Sequence, residues 1–353
     1  MQQREIPLPP IGRLEAVPQT SETVFDWSYE TVRPALLNLY EKGKRLQWNA
    51  STDIDWSVDV DPERFYVPPE AIHAIMNPPE KLDVRRLTEL RVHLLGWMLS
   101  QFLHGEQGAL LATAQIVNTV PWTEAKFYAA SQVADEARHV EVYRRYLTEK
   151  LPIAFPVNPH LHTLLAQIIR EPRWDMTYLG MQIMVEGLAL AAFGLMNFMN
   201  PQEPLIQQIT GYVIRDEARH VAFGVLSLEE VYRQMTAAEL REREDFVIEA
   251  AHLMRDRLLM EEVWERLGYD VDVWVKWSLE TPFMQGFRQL LFAKIVPNLK
   301  RLGLLTPRVR EAFAKIGVLQ FEDMPDSTLD ERVTVPPALL ALFPDLAATA
   351  PPL

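Results

Sequence analysis

The hexamer DEARHV occurs at Asp135–Val140 and again at Asp216–Val221. Six identical residues recurring in a chain of 353 imply a shared task. In each copy a Glu and a His stand three apart, Glu136 with His139 and Glu217 with His220. On a helix, positions i and i+3 share a face, so each copy points one carboxylate and one imidazole the same way. The companions on those faces are apolar: Val133, Val140 and Tyr143 around Glu136, and Val213, Ile214, Val221 and Val225 around Glu217. An apolar face turns to the core. A Glu buried there needs a partner or a metal ion.

Two further acids lie upstream in apolar stripes. Glu106 stands among Leu99, Phe102, Leu103, Leu110 and Thr113, and Glu186 among Ile183, Ala189, Leu190 and Phe193. Glu106 precedes Glu136 by 30 residues, and Glu186 precedes Glu217 by 31. The midpoint of the first interval is Pro121, in NTVPW, and that of the second falls between Pro201 and Gln202, in NPQEP. Two antiparallel helices joined at such a midpoint bring both Glu residues to one level. At ~1.5 Å per residue, that level lies roughly 22 Å from the turn. Each hairpin therefore offers two carboxylates and one imidazole at matched depth. Two hairpins packed together converge four Glu and two His, the recipe of a dinuclear carboxylate site in a helix bundle. Four carboxylates balance two divalent ions and so offset the cost of burying bare anions. An oxygen-rich set with some imidazole suits iron or manganese.

The surrounding pattern is all-α. Segments 83–119, 121–150, 172–199 and 201–235 are long, apolar at helical spacing and almost free of internal proline. Further helices are expected at 29–46, 237–267 and 281–302, with a short helical piece at 306–323. Residues 48–70 are rich in Asn, Ser, Asp and Pro and read as loop. Pro121 stands where a first-turn proline is tolerated. Asn200 is expected as an N-cap, with Pro201 at the first helical position and Glu203 three after the cap. The chain thus divides into an N-terminal arm (1–82, Pro-rich and extended at its start), a bundle core (83–235), and C-terminal helices with a Pro-rich tail (236–353).

Composition narrows the function classes. The chain is 48% hydrophobic and 24% charged, with net charge −13. No basic block marks a nucleic-acid surface. There is no cysteine, which excludes disulfides, thiolate zinc sites and iron–sulfur clusters carried by the chain itself. That usage, and a start without an apolar signal core, point to the cytoplasm. Leu179–Met199 is long enough to span a membrane. It carries Glu186 near its centre, so it reads as a buried core helix rather than a lipid-facing one.

The two DEARH motifs, with GEQGALLATAQIV (residues 105–117) and ADEARHVEVY (residues 134–143), resemble the ferritin-like di-iron carboxylate superfamily. The context is most like the hydroxylase α subunits of bacterial multicomponent monooxygenases and is similar to arylamine N-oxygenases. The resemblance implies a ferritin-like four-helix bundle with flanking helices. It carries six ligands onto Glu106, Glu136, His139, Glu186, Glu217 and His220. It further implies that Asp135 and Asp216 each hydrogen-bond the other motif's histidine, with Arg138 and Arg219 holding those carboxylates. The chain departs from the N-oxygenases at Val213, where they carry an extra His ligand. It resembles ribonucleotide reductase small subunits in Tyr143, four residues after the first motif His. It departs from them in the short interval from His139 to Glu186 and in a tail without Tyr. His73, His93, His104, His160, His162 and His252 have no matching partners and are read as non-ligands.

The expected activity is O₂-dependent oxidation of a small, largely apolar substrate, by C-hydroxylation or amine N-oxidation, at two iron ions or a Mn/Fe pair. The expected lining of the pocket is Phe102, Leu110, Leu190, Phe193 and Val213. Thr113 is the one polar group of its stripe and a candidate to orient a proton. Without a cysteine relay, electrons come from an external ferredoxin or reductase. A homodimer is the expected assembly, with neither nucleic acid nor membrane as partner. Two other readings stay open: a radical-generating oxidase using Tyr143, and ferritin-type iron storage. The long segments flanking the bundle speak against storage.

Overall fold

The structure, a computed structural model, describes residues 15–328 apart from 62, 64–68 and 152. Part of the Pro-rich start and nearly all of the Pro-rich tail lie outside the described residues. Every regular element among the described residues is helical.

Helix α1 (Pro34–Arg45) opens with proline at its first position, where a missing N–H costs nothing. A short α2 (Pro69–Met76) leads to α3 (Val84–Thr119), 36 residues without a break. Asp83 caps α3 by accepting from the Arg86 N–H at 2.8 Å. After three residues α4 (Thr123–Arg145) returns antiparallel and ends in a π-helical turn, Tyr146–Lys150. Helix α5 (Pro159–Arg170) lies outside the bundle, against α3. The third bundle rod joins α6 (Trp174–Tyr178), a π-helical stretch Leu179–Val185, and α7 (Glu186–Met199). The fourth is α8 (Pro204–Tyr232).

These four rods pack as two hairpins, α3 with α4 and α7 with α8, while α1 lies across α4 and α8. Gly224 lets α8 approach the third rod, since a Cβ there would stand 2.6 Å from Cβ of Gln182. The chain continues through α9 (Ala237–Asp256), a 3-10 turn Arg257–Leu259, α10 (Glu261–Leu267) and α11 (Val271–Glu280). It then forms α12 (Pro282–Leu290), α13 (Ile295–Arg301) and α14 (Pro307–Lys315). Helix α9 packs on the π-helical stretch of the third rod. A buried ion pair fixes it there, with Arg243 Nη2 2.9 Å from Asp175 Oδ2.

Four local expectations change. Helix α8 starts at Pro204, not Pro201, and its cap is Glu203, whose carboxylate accepts from the Leu205 and Ile206 N–H groups. Of two prolines three apart, the second takes the first-turn position. Asn200 instead donates to the Met196 carbonyl and closes α7. Pro121 lies before α4, whose N-cap is Trp122. The helix expected over 237–267 breaks at Arg257–Met260, where Met260 turns left-handed at φ 56°. The one expected over 281–302 breaks between Leu290 and Ile295. Trp174–Met199 is long and apolar enough to cross a membrane by length and composition, yet 94% of its apolar window is buried inside the protein.

Candidate metal centre

Each bundle rod delivers its acid to one level. Glu106 comes from α3, Glu136 and His139 from α4, Glu186 from the start of α7, and Glu217 and His220 from α8. All six are buried. Donor atoms of Glu106, Glu136, His139 and Glu217 lie within 4.8 Å of one another, and those of Glu136, Glu186 and His220 do the same. His139 Nδ1 stands 3.2 Å from Glu106 Oε2, 3.2 Å from Glu217 Oε1 and 3.5 Å from Glu136 Oε2. His220 Nδ1 stands 3.1 Å from Glu136 Oε1 and 3.5 Å from Glu217 Oε1.

The other face of each imidazole is tied down crosswise. His139 Nε2–H donates to Asp216 Oδ2 at 3.2 Å, and His220 Nε2–H to Asp135 Oδ2 at 3.2 Å. Arg138 pairs with Asp135, and Arg219 with Asp216. Each motif therefore orients the imidazole of the other. The arrangement fixes the tautomer and leaves both Nδ1 atoms facing the carboxylates. The sequence reading missed the next partners. Trp48 Nε1–H donates to Asp216 Oδ2 at 2.7 Å, and Gln47 Nε2 to Asp135 Oδ1 at 2.9 Å. Gln132 Nε2 donates to Glu136 Oε1 at 2.9 Å and to Glu186 Oε1 at 2.8 Å. A signal for these amides was present, since Gln132 precedes Glu136 by one helical turn just as Gln182 precedes Glu186.

The residues fit a pair of metal ions. Among the described residues, Glu136 Oε2, Glu186 Oε2, both carboxylate oxygens of Glu217 and Nδ1 of His220 are buried and make no hydrogen bond. Unpaired buried polar atoms are rare and costly. Five on residues whose donor atoms gather within 4.8 Å in two groups mark a place built for cations. Burial and the neighbouring carboxylates push Glu106 and Glu186 well above the usual carboxylate range. Burial acts the same way on Glu136, but the imidazoles of His220 and His139 outweigh it and hold that carboxyl well below. Burial disfavours charge on His139 and His220, yet the facing carboxylates hold both well above the usual range. Protons thus stand in for metal charge.

A pocket opens on the cluster. From α3 it is lined by Gln101, Phe102, Gly105, Glu106 and Ala109. Val185, Glu186, Leu188, Ala189 and Phe193 line it from the third rod, joined by Glu217 and Arg257. The space between its walls, counted out to the open mouth, is about 380 Å³. Phe102 and Phe193 of the expected lining stand in it. Leu110, Leu190, Val213 and Thr113 do not. The pocket lies toward the N-terminal side of Glu106 on α3 and the C-terminal side of Glu186 on α7, whereas Thr113 lies on the opposite side of the cluster. There its hydroxyl accepts from Gln182 Nε2 at 3.4 Å. Leu190 and Val213 are buried in packing. Tyr143 packs behind the lining, with ring centroids 5.6 Å from Phe102 and 5.8 Å from Phe193. Its hydroxyl is buried without a hydrogen bond.

No curated protein matches the sequence. The chain is similar in structure to an R2-like ligand-binding oxidase mutant with an anaerobically reconstituted Mn/Fe cofactor. Identity is 19%, the TM-score 0.48, and the match covers 78% of this chain and 94% of that one. It is also similar to an R2-like ligand-binding oxidase with an aerobically reconstituted metal cofactor after photoconversion, at 18% identity and TM-score 0.44, covering 85% and 95%. Values this low carry no argument about chemistry. The model of the family described as p-aminobenzoate N-oxygenase AurF matches residues 30–303, which take in the bundle, α1 and all six acid and imidazole donors. The chain belongs to that family of p-aminobenzoate N-oxygenases.

Proposed function

We propose that the protein is an O₂-dependent di-iron N-oxygenase acting on the amino group of a small aromatic amine. The observation that carries this reading is a mostly apolar pocket whose lining includes Glu106, Glu186 and Glu217 of the six-residue cluster. Glu106, Glu136, His139 and Glu217 would hold one ion and Glu136, Glu186 and His220 the other, with Glu136 common to both. Two ferrous ions held there would supply electrons and open positions for O₂. The chain's own residues do the rest. Asp135 and Asp216 orient the imidazoles, and Gln132 holds Glu136 and Glu186. Phe102 and Phe193 form an apolar wall that excludes water and stacks on a flat ring.

Family membership favours this reading over iron storage and over a radical-generating oxidase. The absence of cysteine supports an external ferredoxin or reductase as electron donor, and a cytoplasmic setting. A homodimer remains part of the proposal. The test is to load the protein with iron, reduce it, and supply ¹⁸O₂ and 4-aminobenzoate. Mass spectrometry should find label on nitrogen, as hydroxylamine or nitro product. Label on ring carbon, or dozens of irons bound per chain, would overturn the assignment. Metal analysis of protein as isolated separates two iron ions from a Mn/Fe pair.

A further inference from the structure

Glu124, Tyr128, Gln132 and Glu136 follow one another at single-turn intervals along α4. The third rod repeats the inner part of this pattern with Tyr178, Gln182 and Glu186. All of them are buried. Each also keeps an oxygen without a hydrogen bond among the described residues: one carboxylate oxygen of each Glu, the amide oxygen of each Gln and the hydroxyl of each Tyr. The two tyrosine rings flank Phe223 of α8, with centroids at 4.4 Å for Tyr128 and 5.0 Å for Tyr178. One turn further along α8 lies Ser227, whose hydroxyl is likewise buried and unpaired. The column starts at the cluster on the side away from the pocket and leads to the ion pair of Arg33 with the exposed Glu230. There Arg33 Nη2 donates to the Ser227 carbonyl at 3.2 Å, and the Arg33 N–H donates to Glu124 Oε1 at 3.1 Å.

Metal ions account for the free oxygens of Glu136 and Glu186. They do not account for those of Glu124, Tyr128, Gln132, Tyr178, Gln182 and Ser227, which lie outside the ligand set. Left dry, each would carry its full desolvation penalty. A buried water removes that penalty by bonding about three such groups at once. Groups one turn apart on α4 are separated by roughly 5.4 Å along the axis. That is the span of one water bonded at about 2.8 Å to each neighbour. Burial raises both tyrosine hydroxyls above their ordinary pKa, so they stay protonated and can donate as well as accept. Ser227 eases the rise at Tyr178 without reaching hydrogen-bond geometry.

We propose that these side chains hold a file of ordered water from Arg33 and Glu230 to Gln132, and that the file carries protons between solvent and the polar side of the cluster. Hydroxyls and water pass a proton because each donates and accepts, while the amide oxygens only anchor the file. The use made of the protons rests on the O₂-dependent reading. Converting an amine and O₂ to a hydroxylamine and water takes up two electrons, from the external donor, and two protons. On the pocket side Phe102, Leu188 and Phe193 have no group that could deliver them.

A crystal structure of the metal-loaded protein should place water within hydrogen-bond distance of both tyrosine hydroxyls and of Gln132 Oε1. Hydroxyls that touch only carbon there overturn the file. Tyr128→Phe and Tyr178→Phe should each melt no higher than the native protein, because each loses a bond to water. A rise of about 2 °C or more, the mark of a dry hydroxyl removed, overturns it too. In the double variant, O₂ consumption with 4-aminobenzoate should slow about tenfold and its slowing in D₂O should grow, while metal content and KM stay within about twofold. Unchanged turnover and isotope effect overturn the relay even with water in place, and a shift in KM or metal content instead marks the tyrosines as packing. Water and melting are read without turnover, so the proposed reaction is judged separately. If both hold and no nitrogen is oxidised, the N-oxygenase assignment falls alone. N-oxidation by a protein whose column is dry sinks the file alone.

Discussion

The two sides of the metal cluster are built from different chemistry. On one side lie Thr113, Gln132 and Gln182, all buried and polar. Two of them stand one turn before a cluster acid, and Gln132 bonds both Glu136 and Glu186. On the other side lie Phe102, Tyr143 and Phe193, packed ring against ring, with the pocket beside them. The polar side can fix carboxylates because amides donate hydrogen bonds to them. The apolar side offers the cluster little to bond with, and Glu186 Oε2 and both oxygens of Glu217, two acids that line the pocket, make no hydrogen bond. On the proposed reading, ligand geometry is set on one side and substrate access lies on the other.

The largest test removes what both sides share. Glu136 belongs to both metal groups, so Glu136→Ala should abolish dinuclear loading and lower turnover by about a thousandfold or more. Metal content by mass spectrometry checks it, and two tightly held ions per chain in this variant would refute the shared role. Loading of the native protein should also release protons. Glu106, Glu186, His139 and His220 all sit above their ordinary values without metal. They bind protons that the ions must displace, and metal affinity should rise with pH. By the same sign, the metal-free fold is stabilised by these four groups at low pH. It loses that contribution as pH climbs past ordinary carboxylate and imidazole values, ~4.3 and ~6.5.

The next two tests separate the sides. Gln132→Leu keeps the volume but deletes two hydrogen bonds to ligands, and should weaken metal affinity about 10- to 100-fold. Affinity for 4-aminobenzoate, measured on fully loaded protein, should stay within about threefold. Gly105→Leu should do the reverse. Gly105 lines the pocket, and a Cβ built on it meets nothing within 4 Å. A leucine there projects into the pocket without displacing backbone. KM should rise about tenfold while metal content is unchanged. Gly105→Ala should raise stability by about 0.5–1 kcal/mol through helix propensity. If Gln132→Leu spared the metals, or Gly105→Leu expelled them, the division of labour between the two sides would be gone.

Much of this was legible in the sequence because helix geometry is regular. Intervals of 30 and 31 residues centred on turns placed four acids at one level without any knowledge of packing. What escaped depends on departures from that regularity or on distant parts of the chain. The π-helical stretch Leu179–Val185 leaves the apolar character of the rod unchanged, so periodicity could not show it. The break at Met260 has no Gly or Pro to announce it, and Trp264 Nε1–H donating to the Leu259 carbonyl helps hold the turn. Helix α5 was passed over although Asn158 caps it and Pro159 begins it, a readable signal. Trp48 and Gln47 reach the cluster from a segment whose neighbours read as loop. Arg257 left a trace: with Met254 and Leu258, both buried, it forms an i, i+3, i+4 stripe in which a charge is out of place.

Tyr143 decides whether the apolar side has chemistry of its own. Tyr143 is the one hydroxyl among the three rings of the apolar side, placed where a radical-bearing or proton-donating residue could sit. Burial pushes its pKa well above the ordinary tyrosine value, so the hydroxyl stays protonated. It is buried without a hydrogen bond, and an unsatisfied buried hydroxyl costs about 1–3 kcal/mol. Tyr143→Phe deletes that group and keeps the ring that packs on Phe102 and Phe193. If the apolar side serves only access, the metal-free variant should melt about 2 °C or more above the native protein. Turnover should stay within about twofold, a threshold well below the 10²–10⁴ of a general acid. A tyrosyl EPR signal that appears on aeration of the native protein and vanishes in the variant, with turnover lost, would move redox chemistry onto the side assigned to access. Retained turnover with raised stability leaves Tyr143 a packing residue and the apolar wall free of chemistry of its own.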